Sequence, residues 1–133
     1  MPDPEPDKEE GEPRIFRDNG VSFLSLPSND YDRSAEFYHA VFGWKVSVKP
    51  THASFEDGTG HVIGHWEPKF RVVGEAGIVP FIYVDRLKVT IDRVVANGGE
   101  IVKPPYPEGD LTVALFRDPH GNVLGIWQRG TME

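Results

Sequence analysis

The chain has 133 residues, a formal net charge of −7 and no cysteine. That length suits one domain with a single hydrophobic core, and the lack of cysteine excludes a disulfide scaffold, a thiolate metal site and a cysteine nucleophile. The negative charge is concentrated. Residues 1–13 hold Asp3, Glu5, Asp7, Glu9, Glu10 and Glu12 against Lys8 alone, which leaves the other 120 residues at −2.

No basic footprint for nucleic acid is visible. No apolar run reaches the 18 residues of a membrane span, and the acidic N-terminus lacks the apolar stretch of a secretory signal. The expectation is a cytoplasmic protein with no nucleic-acid or membrane partner. Pro2, Pro4, Pro6 and Pro13 accompany the acidic residues with little apolar surface to bury. Residues 1–17 therefore read as a disordered, acidic, Pro-rich tail, and 18–130 as the folded domain.

In chain order, Val21 to Leu26 reads as a strand stopped at Pro27. Asn29 and Asp30 are helix N-cap residues. Tyr31, Ala35, Tyr38, Val41 and Phe42 fall on helical spacing up to Phe42, and Gly43 sits where a helix ends. Trp44 to Val48, Ala53 to Glu56 and His61 to Trp66 read as three strands. Glu67 to Gly77 is a polar connector.

The order of elements then repeats. Ile78 to Val84 reads as a strand. Leu87, Ile91, Val94 and Val95 form a helical stripe ended by Asn97-Gly98-Gly99. Glu100 to Lys103, Leu111 to Arg117 and Val123 to Gln128 read as strands, the last two joined by Asp118-Pro119-His120-Gly121-Asn122. Each half is thus βαβββ, over about 20–67 and 77–129. Such a unit leaves one sheet face uncovered, and two of them side by side make a curved eight-stranded half-barrel of the α+β class, with a concave cleft and helices outside.

The stretch Asp30-(x)6-Phe37-Tyr38-(x)3-Phe42-Gly43-Trp44 resembles the first-helix signature of the vicinal-oxygen-chelate superfamily, the glyoxalase, bleomycin-resistance and ring-cleaving dioxygenase group. Asp118-Pro119-His120-Gly121-Asn122 resembles its second signature. Ile82-Tyr83-Val84-Asp85 and Ala96-Asn97-Gly98-Gly99 fit the second module. The resemblance covers about residues 20–129.

It implies up to four metal ligands, His, Gln or Glu, on the first and last strand of each module. Three of those positions fall on Phe23, Val79 and Gly125, which have no donor atom. The fourth lies within Gly60 to Trp66. There His61 and His65, on one strand face, would stand about 13 Å apart, too far to share one ion. They read first as structural or surface residues, with an acid–base or hydrogen-bonding role in the cleft as the alternative. His52, His39 and His120 read as loop or surface residues.

Alternation around the three ligandless positions places Phe23, Ser25, Phe81, Tyr83, Gly125 and Trp127 on the cleft, with Trp66 at its rim and a gap at Gly125. Trp44 reads as core, and Asp118 as the residue that holds its turn. Arg117 can turn inward to an anionic ligand or outward to Asp118, and the outward orientation is the preferred expectation.

The expectation is a small-molecule binder or a metal-independent enzyme, with no metal or other cofactor and an aromatic or partly apolar ligand. One alternative is a divalent-metal glyoxalase (lactoylglutathione lyase)-like or ring-cleaving dioxygenase-like enzyme. Another is an interaction module whose cleft is filled. The fold family builds its cup within one chain or across a dimer, and open sheet edges favour a homodimer.

Overall fold

The computed structural model describes residues 14–72 and 77–131. Residues 1–13 of the expected tail lie outside the described residues. Arg14 and Arg17, also placed in that tail, bond to the domain: the Arg14 N–H donates to the Gly60 carbonyl, and the Arg17 guanidinium meets His61 Nε2 at 2.7 Å.

The first module runs β1 (Phe23–Pro27), α1 (Tyr31–Phe42), β2 (Lys45–Lys49), β3 (His52–Glu56) and β4 (Ile63–Glu67). The second runs β5 (Phe81–Tyr83), α2 (Leu87–Ala96), β6 (Glu100–Glu108), β7 (Leu111–Arg117) and β8 (Val123–Arg129). Each forms its own four-stranded sheet, ordered β1-β4-β3-β2 and β5-β8-β7-β6. The first and last strands of each module pair in parallel, and the other pairs are antiparallel. This is the α+β architecture of two βαβββ modules that the sequence predicts. No strand of one sheet is hydrogen-bonded to a strand of the other among the described residues.

Capping explains the helix limits. Asp30 accepts the Arg33 N–H at 3.2 Å, and Gly43 ends α1 in the left-handed region at φ 72°, where a glycine carries no Cβ penalty. The N-cap position of α2 is Arg86, which makes no side-chain cap bond. Gln128 of β8 takes that role from a distance: its Oε1 accepts the Leu87 N–H at 2.7 Å.

The core of the first module is a ring cluster. Tyr38 stacks on Trp44 at 4.7 Å, Trp44 on Phe55 at 4.8 Å, and Phe55 leans on Trp66 at 4.9 Å. Leu87, Val94, Phe116, Leu124 and Ile126 fill the second. One contiguous cluster joins the two, because Phe37 and Phe42 of α1 both reach the Phe116 ring of β7. The helix α1 therefore bridges the modules as well as covering its own sheet.

Polar bonds complete this junction. Asp118 accepts from the Tyr38 hydroxyl at 2.9 Å, from Asn122 Nδ2 at 2.9 Å, and from the backbone N–H groups of His120 and Asn122. It holds its turn as expected, and it also ties that turn to α1. Asn122 donates to the Pro27 carbonyl at the end of β1. His120, expected in solvent, meets Asn29 Oδ1 and lies 3.5 Å from Ser34 Oγ. Arg117 pairs across the sheet with Glu100 at 2.9 Å rather than with Asp118.

Candidate functional site

Strand alternation gives each sheet a core face and an outer face. On the first sheet, Leu24, Leu26, Ala53, Phe55, Gly64 and Trp66 turn to the core. The outer face then carries Phe23 and Ser25 from β1, His52, Ser54 and Glu56 from β3, and Ile63, His65 and Glu67 from β4. Pairing sets His65 between two serines, in register with Ser25 on one side and Ser54 on the other.

The Ser25 hydroxyl and His65 Nε2 are 3.0 Å apart. A Glu67 carboxylate oxygen lies 4.0 Å from the same nitrogen. The His52 and Phe23 rings approach the His65 ring at 6.1 and 5.3 Å between centroids. A cavity of about 370 Å³ opens over this face, lined by Phe23, Lys45, His52, Ser54, Ile63 and His65 among others. An imidazole held by a hydroxyl and a nearby carboxylate has the geometry to hold or pass a proton to a bound molecule.

The second sheet presents a different surface. Phe81 pairs with Gly125, and Tyr83 with Trp127. Their neighbours on β7 are Leu115 and Val113. The Tyr83 and Trp127 rings meet edge-on at 4.8 Å, a favourable geometry for aromatic quadrupoles. Phe81 and Tyr83 remain 47% and 45% exposed, and Phe23 on the other sheet 51%.

The expected cleft residues thus fall into two groups. Phe23, Ser25 and His65 come together on the first sheet. Phe81, Tyr83, Gly125 and Trp127 come together on the second. Three expectations need correction. The gap at Gly125 is filled: a Cβ there would lie 2.2 Å from the Phe81 ring, which covers the glycine. Trp66 is 1% exposed and packs in the core, away from any rim, because it is one residue out of phase with His65. His61 precedes β4 and sits in a turn against Arg17, so it does not share a face with His65.

His52 and Ser54 were not anticipated at the site. Their signal lay in the period-two pattern His52-Ala53-Ser54-Phe55-Glu56, whose apolar members are both buried.

The profile of the glyoxalase/bleomycin resistance protein/dioxygenase superfamily matches residues 20–126. The chain belongs to this superfamily. A glyoxylase-like domain-containing protein of Didymella fabae is 30% identical over 119 residues, 82% of this chain and 93% of that protein. CFP32 of Mycobacterium tuberculosis is 26% identical over 123 residues, covering 85% of this chain and 47% of CFP32. The anthracycline biosynthesis protein DnrV of Streptomyces peucetius is 28% identical over 137 residues, covering 89% and 50%. The chain spans about half the length of these last two relatives.

Among solved structures, the fosfomycin resistance protein FosX of Mesorhizobium loti superposes with a TM-score of 0.68 at 16% identity, covering 85% of this chain and 93% of FosX. A family enzyme from Burkholderia phytofirmans gives 0.66 at 21%, covering 81% and 97%. At these identities the likeness is one of fold.

The superfamily implies a metal in many members, and the donors of this chain do not fit one. Phe23, Val79 and Gly125 stand at three of the expected ligand positions. Among the described residues no three His, Asp or Glu side chains converge on a point that would hold an ion. His65 and His52 are two imidazoles on one face, short of the three protein ligands such a site needs.

Proposed function

We propose that this protein binds a small, planar, partly apolar molecule without a metal, between a polar wall and an aromatic wall. The polar wall is the His65, Ser25 and Ser54 face of the first sheet. The aromatic wall is Phe81, Tyr83 and Trp127 of the second. The observation that carries the reading is the exposure of aromatic rings on faces where, among the described residues, no three donors converge to hold a cation. Aromatic side chains offer contact area at low entropic cost, and a few fixed polar groups orient the ligand.

The two walls lie on separate sheets, and their ring contacts stay within each sheet. A second copy of the chain brings the first sheet of one protomer over the second sheet of the other. That pairing also covers the open edges at β1 and β5.

Two of the relatives are anthracycline biosynthesis proteins, so an anthraquinone is the first probe. Titration calorimetry with this probe should give saturable binding that chelator leaves unchanged. Light scattering at micromolar concentration should give the mass of a dimer. Binding that disappears with chelator and returns with one divalent metal would overturn the reading in favour of a metal-dependent lyase or dioxygenase. A face that takes up no planar probe would leave the interaction module.

The Ser25–His65–Glu67 arrangement favours a second reading, in which the same cleft performs acid–base chemistry with His65 as the proton carrier. A His65→Gln variant that keeps probe affinity but loses turnover of a bound substrate would support it. Equal turnover by the variant would remove it.

A further inference from the structure

A groove of about 560 Å³ runs between the modules. Phe42, Trp44 and the Asp57–Thr59 turn form one side, and β5 with the start of α2 forms the other. It shares Phe81 and Tyr83 with the aromatic wall, and the rest of its lining belongs to neither sheet's outer face.

Its charged side chains are not paired with one another. Four of them line it, Asp57, Asp85, Arg86 and Arg93. The Asp57 carboxylate is committed to its own turn, where Oδ1 accepts from the Thr59 N–H, the Thr59 hydroxyl and the Gly60 N–H. Arg86 and Arg93 are seven residues apart on α2, about two turns, and so share a side. Neither has a carboxylate partner within 4.0 Å among the described residues.

The occupant is indicated by where the described chain starts. The Arg14 N–H is anchored to the Gly60 carbonyl, the residue next to Thr59 on the groove wall. Arg14 therefore stands at the rim, within reach of any segment that precedes it. Residues 1–13 carry six carboxylates against one lysine, and Pro2, Pro4 and Pro6 alternate with Asp3, Glu5 and Asp7. Proline at every second position favours the extended polyproline II form, which docks into aromatic-lined grooves at low entropic cost. At about 3.1 Å per residue, such a segment spans roughly 40 Å, enough to cross the groove.

We propose that residues 1–13 of this chain dock in the inter-module groove, with prolines against Phe42 and Tyr83 and carboxylates on Arg86 and Arg93.

Hydrogen exchange on the 133-residue chain tests this. The unaltered protein is compared with a variant of the same length whose acidic residues at 3, 5, 7, 9, 10 and 12 become amides, and with an Arg86→Ser/Arg93→Ser variant. Thermal midpoints confirm that each variant is folded. Amides from Ile82 to Arg93 should exchange about fivefold more slowly in the unaltered protein, the factor for one modest contact. That protection should vanish in both variants and in molar salt. Equal exchange in all three proteins would overturn the proposal. Protection that disappears on dilution would overturn it too, by assigning the groove to the segment of a second copy.

Discussion

The Tyr38 hydroxyl donates to an Asp118 carboxylate oxygen at 2.9 Å, across 80 residues of sequence. Tyr38 lies on α1 and Asp118 begins the turn before β8, so one buried bond joins the two modules. Burial, and then the charge and hydrogen bond of Asp118, hold the Tyr38 phenol pKa well above its ordinary value. The folded chain thus keeps this proton more tightly than the unfolded chain does. The stability it contributes is whole below about pH 10, the ordinary phenol value, and is lost as pH rises through the higher folded value. Spectrophotometric titration should show one tyrosine ionising only as the fold is lost. Tyr38→Phe should abolish that delayed phase and cost about 2 kcal/mol in urea unfolding at neutral pH, the scale of a bond to a charged acceptor.

The glycines of the two parallel pairings should respond very differently to alanine. A Cβ at Gly64 would lie 2.2 Å from the Leu24 carbonyl oxygen and 2.3 Å from the buried Phe55 ring. Neither can retreat, and Gly64→Ala should cost about 3 kcal/mol by overpacking. At Gly125 the nearest obstacle is the half-exposed Phe81 ring. It can swing outward, so Gly125→Ala should cost less than about 1 kcal/mol. The same change displaces a ring of the aromatic wall and should weaken binding of a planar probe. Thermal unfolding and calorimetry separate the two effects.

The remote cap on α2 makes a sharper stability prediction. Gln128→Leu leaves the buried Leu87 N–H without its acceptor. The cost should be about 1–2 kcal/mol, as for other lost N-caps. Hydrogen exchange should show the loss concentrated in the first turn of α2.

His120 and Asn29 give a direct measure of module coupling. Their side chains bond across 91 residues. A double-mutant cycle of His120→Ala and Asn29→Ala should return a coupling of about 0.5–1.5 kcal/mol. A value near zero would leave the polar part of the junction to Tyr38, Asp118 and Asn122.

Trp127→Ala should weaken a planar ligand by about 1–3 kcal/mol, the scale for a large buried apolar contact. Ser54→Ala, on the opposite wall, should alter selectivity among oxygenated analogues of that ligand more than its affinity. Calorimetry across a short analogue series reads both.

Local signals were legible where the chemistry itself is local. The bounds of α1 follow from Asp30 and Gly43, and the helix is found between them. Strands were misjudged where proline acts through its neighbours. Ile78 to Val84 shrinks to Phe81–Tyr83, since Pro80 offers the ladder no N–H. β6 instead runs on through Pro104 and Pro105, because it is an edge strand and its register shifts absorb the missing donors. At the site, period-two alternation puts Phe23 and Ser25 on one strand face and Phe81 and Tyr83 on another. The division of these pairs between two sheets was not legible, since sheet membership depends on pairings between distant segments.

The prolines of β6 have a consequence beyond the single chain. An exposed strand edge recruits other chains through its N–H groups, and end-to-end stacking of such edges is how soluble proteins form fibres. In the second sheet one terminus is β6, where Pro104, Pro105 and Pro107 interrupt the donor row. The opposite terminus is β5, only three residues long. The sheet is therefore a poor template at both ends, and crowded, concentrated solutions should select against indefinite polymers of this protein.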